Sequence, residues 1–143
     1  MILRKGTKSD LKNVLEIEIM AYKNPYWSQN MIFEVLANKT DKRLWIYEVD
    51  NDVVGFIIDM RHKNEISLLN IAIHKYLQGV GHGLKMLKKY IKSLPGECSI
   101  YLEVNKNNIK ALNMYTKLNF EKVSIRKSYY TDGSDAINMQ LIK

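Results

Sequence analysis

Three glycines at alternate positions, Gly79, Gly81 and Gly83, occupy the run Gln78-Gly79-Val80-Gly81-His82-Gly83. The run lies between a strand-like segment and an amphipathic one. Glycine lets the main chain turn sharply and lets a ligand approach it without meeting a Cβ. The first N–H groups of a following helix lack internal partners and sit at the positive end of its dipole. Such a terminus binds phosphate. No Gly-Lys-Ser/Thr follows, so this is not a Walker loop, and no third glycine falls at the offset of a dinucleotide fingerprint. A merely flexible turn is the other reading of the same residues. The single cysteine, Cys98, excludes an internal disulfide framework and a multi-cysteine zinc site. It reads as an ordinary small residue beside a strand rather than as a nucleophile. His62, His74 and His82 have no metal-ligand spacing, and no metal is expected. Asp132 and Asp135 are either turn formers or contacts for a positively charged peptide end.

The elements that must carry these residues follow from periodicity. Residues 1–5 read as an opening strand, and Thr7-Lys8-Ser9-Asp10 as a capping arrangement. Leu11, Val14, Leu15, Ile17 and Ile19 fit a helix of about ten residues. Asn24-Pro25-Tyr26-Trp27 breaks it, and Ser28 caps a second helix to about residue 37. Residues 43–49 (RLWIYEV), 53–61 and 65–73 (EISLLNIAI) read as three strands of an antiparallel meander. The glycine turn then opens a helix to about residue 94, which Pro95-Gly96 stops. Residues 99–104 (SIYLEV) form the next strand. Asn107 or Asn108 caps a helix that ends near Leu118 and Asn119, and residues 120–126 and 136–142 are strands around a polar turn. The order β α α β β β α β α β β is a mixed sheet with helices on its faces, an α/β (α+β) class. A ligand of a strand–turn–helix unit sits at the strand ends.

A chain of 143 residues fits one domain, residues 1–143, able to bury a sizeable core. Hydrophobic residues at 46% and charged residues at 26% are a globular balance. The longest apolar runs fall far short of a membrane span, and the first ten residues have no secretory h-region, so a reducing cytoplasm is expected. The net charge is +7, from 22 basic and 15 acidic residues. It favours encounters with acidic partners. However, 18 of the bases are Lys and only 4 are Arg, and phosphate and base recognition leans on the planar fork of Arg. A solvated lysine surface is therefore read, and no specific nucleic-acid partner is expected.

Gln78, Gly81 and Gly83 match without gaps the Gln/Arg-x-x-Gly-x-Gly/Ala pyrophosphate motif of the GNAT superfamily of N-acetyltransferases, and the chain resembles that superfamily. The segment from Asn108 through Ala111 and Tyr115 to Phe120 is similar to its N-x-x-A-x-x-x-Y-x-x-x-G-F pattern. Asn119 stands where glycine is usual, and Asn also visits left-handed backbone. Three further stretches resemble the ribosomal-protein-alanine N-acetyltransferases. These are Tyr26-Trp27-Ser28 after Pro25, Leu102-Glu103-Val104, and Arg126-Lys127-Ser128-Tyr129-Tyr130 with Asp132-Gly133 and Asp135-Ala136. Tyr26 separates Pro25 from Trp27, where that group has Pro-Trp. The resemblance implies a single GNAT domain: a mostly antiparallel sheet of six or seven strands, about four helices on both faces, and a splayed central strand pair.

The resemblance also implies a reaction, transfer of acetyl from acetyl-CoA to an amine. An α-amino group has a pKa of about 8 against about 10.4 for lysine, so a protein N-terminus needs less help to become a neutral nucleophile. Glu103, alternating with Leu102 on its strand, is the candidate base, and its other reading is a solvent-facing or ion-paired residue. Tyr115, two helical turns after Asn108, is the candidate donor to the leaving thiolate; its other reading is a core aromatic. Main-chain N–H groups of Ile71, Ala72 and Ile73 would hold the pantetheine arm and the thioester oxygen. Those of Gly79, Val80, Gly81, His82, Gly83 and Leu84, with Gln78, would hold the pyrophosphate, and Asn108 could hydrogen-bond the coenzyme. Tyr26, Trp27, Tyr129 and Tyr130 would form the acceptor walls. The implied partner is a protein or peptide N-terminus, such as a ribosomal protein beginning with alanine, met by a monomer or weak dimer. A small amine as acceptor, such as a polyamine or antibiotic, and a non-catalytic acetyl-CoA-binding domain are the rival readings.

Overall fold

In the computed structural model, residues 1–22 and 25–143 are described; Lys23 and Asn24 lie outside them, and with them the Asn24 end of the expected helix break. The elements run β1 (Ile2–Lys5), a 3-10 turn (Lys8–Asp10), α1 (Leu11–Ala21), α2 (Gln29–Leu36), β2 (Lys42–Val49), β3 (Asp52–His62) and β4 (Glu65–Ile73). A second 3-10 turn (Lys75–Leu77), α3 (His82–Ser93), β5 (Ser99–Asn105), α4 (Ile109–Lys117), β6 (Glu121–Arg126) and β7 (Ala136–Ile142) follow. The seven strands have the order β1-β2-β3-β4-β5-β7-β6. This is the mixed, mostly antiparallel α/β arrangement expected from the pattern.

The residues gather into two compact units, Met1–Met60 with Asn70–Ser93, and Arg61–Leu69 with Leu94–Lys143. In the first, β2 pairs antiparallel with β1 and with β3. Alternation along β2 sorts its side chains between two faces. Leu44 and Ile46 join a buried cluster with Val14 and Ile17 of α1, Ile32, Val35 and Leu36 of α2, and Phe56 and Ile58 of β3. Trp45 and Tyr47 face the other way, meeting the rings of Tyr90 and His82 on α3 edge-on at 6.5 and 6.2 Å. The apolar period of each helix is thus spent against one face of the sheet. Asp59 is fully buried. It accepts from Arg43 Nε at 2.9 Å and Nη2 at 2.6 Å, from Trp45 Nε1 at 3.3 Å, and from the Tyr90 hydroxyl.

In the second unit β5 pairs parallel with the start of β4, over Glu65↔Ser99 to Ser67↔Tyr101. It pairs antiparallel with β7 along its whole length, and β7 pairs with β6. Ile100, Leu102, Val104 and Met139, at alternate positions, are buried. Asn108 caps α4, its side chain accepting from Ala111 N at 3.2 Å, and Asn119 ends it at φ 70°. Ser28 likewise caps α2, accepting from Met31 N at 3.2 Å. α3 begins at His82, so His82 and Gly83 belong to its first turn rather than to the loop before it.

Candidate active site

Gly79 and Gly81 take φ +83° and +91°, which L residues adopt only with strain, and a Cβ at either would meet no atom within 4 Å. Backbone conformation, not crowding, selects glycine here, and the loop is left open to a ligand. Gln78 staples the loop, its Nε2 donating to Ile73 O at 2.9 Å. The first intrahelical bond of α3 runs from Lys85 N to Gly81 O at 3.1 Å. The amides of residues 82–84 come before it and have no helical carbonyl to reach. His82 Nδ1 is buried without a hydrogen-bond partner among the described residues. An open, positively poled turn of this kind fits a pyrophosphate.

At the last residues of β4, the Ile71 carbonyl accepts from the Tyr22 hydroxyl. Beside it stands a group that sequence reading missed. Glu18 of α1 is only 1% exposed; it accepts from Asn70 Nδ2 at 2.8 Å and from the Trp27 amide at 3.3 Å. Burial raises its carboxyl above the ordinary value, against those two hydrogen bonds. The signal was present: Glu18 continues the apolar stripe of Leu11, Val14 and Ile17, where a glutamate must find donors. Trp27 is buried and Tyr26 exposed, their rings edge-on at 6.0 Å.

The second unit carries Glu103, Tyr115, Asn108, Tyr129 and Tyr130. Glu103 lies opposite Asn138 on β7, which lies opposite Ser124 on β6; Arg126 lies opposite Ala136. Partners across a ladder share a face, so Glu103 and Arg126 project on one side. Arg126 Nε reaches Glu103 Oε1 at 3.4 Å. The Arg126 guanidinium carbon is 5.3 Å from the Tyr129 ring centre, and Tyr129 meets Tyr130 edge-on at 5.2 Å. Burial, then the charge of Glu103, pushes the Tyr130 phenol up, which keeps it neutral. Tyr115 is 7% exposed with its ring edge-on to Phe120 at 5.7 Å. Asp132 accepts from Ser134 N at 2.9 Å and Asp135 from Ser128 N at 2.9 Å. Asp132 thus closes its own turn, while Asp135 reaches back across the loop and pairs with Lys127 at 3.4 Å. Among the described residues no group of three His, Cys, Asp or Glu is placed to hold a metal, and no helix is long and apolar enough to cross a membrane.

A strand–glycine turn–helix unit able to hold a phosphate precedes a strand carrying a polar-face carboxylate, an acid–base group. The family profile described as an acetyltransferase (GNAT) domain matches residues 14–143, and the chain belongs to that family; it is an N-acetyltransferase, and the family uses acetyl-CoA. It is 36% identical over 125 residues to the [ribosomal protein bS18]-alanine N-acetyltransferase of Haemophilus influenzae, covering 85% of this chain and 82% of that one. An N-alpha-acetyltransferase of Sulfolobus acidocaldarius is 25% identical over 154 residues, covering 96% and 89%. The crystal structure of the Escherichia coli ribosomal-protein-S18-alanine N-acetyltransferase superposes with TM-score 0.87 at 29% identity, over 99% of this chain and 92% of that one.

Proposed function

We propose that this chain, as a single catalytic domain, moves acetyl from acetyl-CoA to the α-amine of a protein beginning with alanine, a small-subunit ribosomal protein of the cytoplasm. The observation that carries the reading is Glu103, a partly exposed carboxylate on a strand face shared with Arg126, which stacks on Tyr129, in a chain whose relatives include an alanine N-acetyltransferase. Glu103 takes a proton from the acceptor ammonium, directly or through water. The freed nitrogen bonds to the acyl carbon, the C–S bond breaks, and Tyr115 supplies the proton that leaves coenzyme A as a thiol. The nitrogen sheds one more proton and keeps the other as the amide N–H; reprotonation of Tyr115 and release from Glu103 leave one net proton in solvent. Amides of Ile71, Ala72 and Ile73 hold the pantetheine and the developing oxyanion; those of residues 79–84, and Asn108, hold the rest of the coenzyme. Tyr26, Trp27, Tyr129 and Tyr130 face the acceptor, and the enzyme works as a monomer or weak dimer.

The test is incubation with acetyl-CoA and an alanine-starting peptide, with the acetylated atom located by mass spectrometry. Labelling of the α-amine is expected. Labelling of lysine alone, no turnover, or free amines outcompeting the peptide rejects the assignment. Glu103→Gln should keep coenzyme binding and lower turnover by roughly 10²–10⁴-fold.

A further inference from the structure

Arg126 sits where a cationic substrate would be expected. Its guanidinium lies against a carboxylate, Glu103, at 3.4 Å and over an aromatic face, Tyr129, at 5.3 Å. Tyr130 lies edge-on to Tyr129 as a neutral phenol. A carboxylate with a ring face is the general recognition unit for an organic cation. The arginine does not seal that seat. Its side chain is 57% exposed and that of Glu103 32%, so the pair is screened by water and easily exchanged. An acceptor α-amine, about nine-tenths protonated at neutral pH, offers the same charge to the same two groups.

The identity of the resident cation matters too. The chain uses 18 Lys and only 4 Arg, yet an Arg faces the candidate base. A guanidinium keeps its proton at any physiological pH. It has no free lone pair to attack a thioester, whereas an ε-amine there, although mostly protonated beside the carboxylate, has a neutral fraction that grows with pH and can attack. We propose that Arg126 is an inert placeholder for the acceptor's ammonium: it occupies the Glu103–Tyr129 seat in the free enzyme, is displaced by the incoming α-ammonium, and so tunes acceptor affinity without being acetylated. This rests on the reading of Glu103 as the base.

Two variants test it, with an alanine-starting peptide and acetyl-CoA as probes. Arg126→Gln removes the internal competitor, so the peptide KM should fall by roughly two- to fivefold, the span of an exposed ion pair, while the KM for acetyl-CoA stays put. A residue that only supported the fold would raise the peptide KM instead. Arg126→Lys puts an acetylatable amine in the seat. Without any peptide, and increasingly as pH is raised, it should gain one acetyl group at position 126: the ε-nitrogen gives a proton to Glu103, bonds the acyl carbon and gives a second proton to solvent, while the C–S bond breaks and coenzyme A leaves as a thiol protonated by Tyr115. A peptide KM unchanged or raised in Arg126→Gln, or an Arg126→Lys protein left unmodified by acetyl-CoA, overturns the proposal. Glu103→Gln separates the two ideas: if that variant keeps full turnover, the reading of the base has failed; if it loses turnover while Arg126→Gln does not tighten the peptide, only the placeholder role has.

Discussion

Two buried carboxylates resolve the same problem in opposite ways. Asp10 receives two charge-assisted hydrogen bonds from Arg4, each 2.8 Å, and a third from the Thr7 amide at 2.8 Å. Arg4 first, opposed by burial, holds the Asp10 carboxyl below its ordinary 3.8. Glu18 has only neutral donors, and burial pushes it up from 4.5. The signs follow from which state binds the proton better. Folded Asp10 binds it worse than the unfolded chain does, so its stabilisation is complete above 3.8 and drains away as pH falls toward its lowered folded value. Asp10→Asn should flatten that acid limb in denaturant titrations followed by circular dichroism. Folded Glu18 binds the proton better than the unfolded chain, so the fold loses stability as pH rises from 4.5 through the raised value. Glu18→Gln should remove that decline; if the slope persists, another group produces it. Both effects belong to one side chain and its immediate donors; the donor of Asp10 could be foreseen, because its capping partner is three residues away in sequence, whereas the apolar stripe puts Glu18 inside without naming its donors.

At the scale of elements, what was legible was what is local. Ser28 and Asn108 announce helix starts because their side chains satisfy amides three residues on, and Asn119 announces an end because it tolerates positive φ. The limits of β4 and β7 could be read from β-branched runs between turn residues. The Glu18–Asn70 and Arg126–Glu103 pairs were not legible, since each depends on strand or helix neighbours distant in sequence, which no local pattern encodes. The glycine turn tests the boundary between these cases. Its residues were read as a phosphate loop, and its open left-handed conformation at Gly81 is now explicit. Gly81→Ala has room for its methyl group but must hold it at φ +91°, costing about 1 kcal/mol of stability. Thermal melting should register that loss, and calorimetry should register weaker acetyl-CoA binding in the folded variant, because the loop relaxes away from the conformation that aims its amides. Melting unchanged from the parent would mean that the turn adopts another backbone path.

Across the whole molecule the charge of +7 acts on both substrates at once and with opposite sign. Lys85, Lys88, Lys89 and Lys92 line α3 behind the glycine turn, all exposed, adding a positive field to the helix terminus proposed to hold an anionic coenzyme. The same field repels an acceptor of net positive charge, so capture of the two substrates should respond differently to screening. Raising ionic strength from about 0.01 M to about 0.15 M shortens the Debye length from roughly 30 Å to roughly 8 Å. Under the long-range field, kcat/KM for acetyl-CoA should fall over that range while kcat at saturation holds, because encounter is slowed and chemistry is not. With a lysine-rich, alanine-starting peptide as the varied substrate, kcat/KM should instead rise. A parallel fall for both would show that acceptor capture is governed by local carboxylates such as Glu103 rather than by the net charge. Repeating the peptide series with Glu103→Asp, which keeps the local charge, and with a peptide of net negative charge, which reverses the global term, separates the two fields. The global term predicts that only the change of peptide charge inverts the slope.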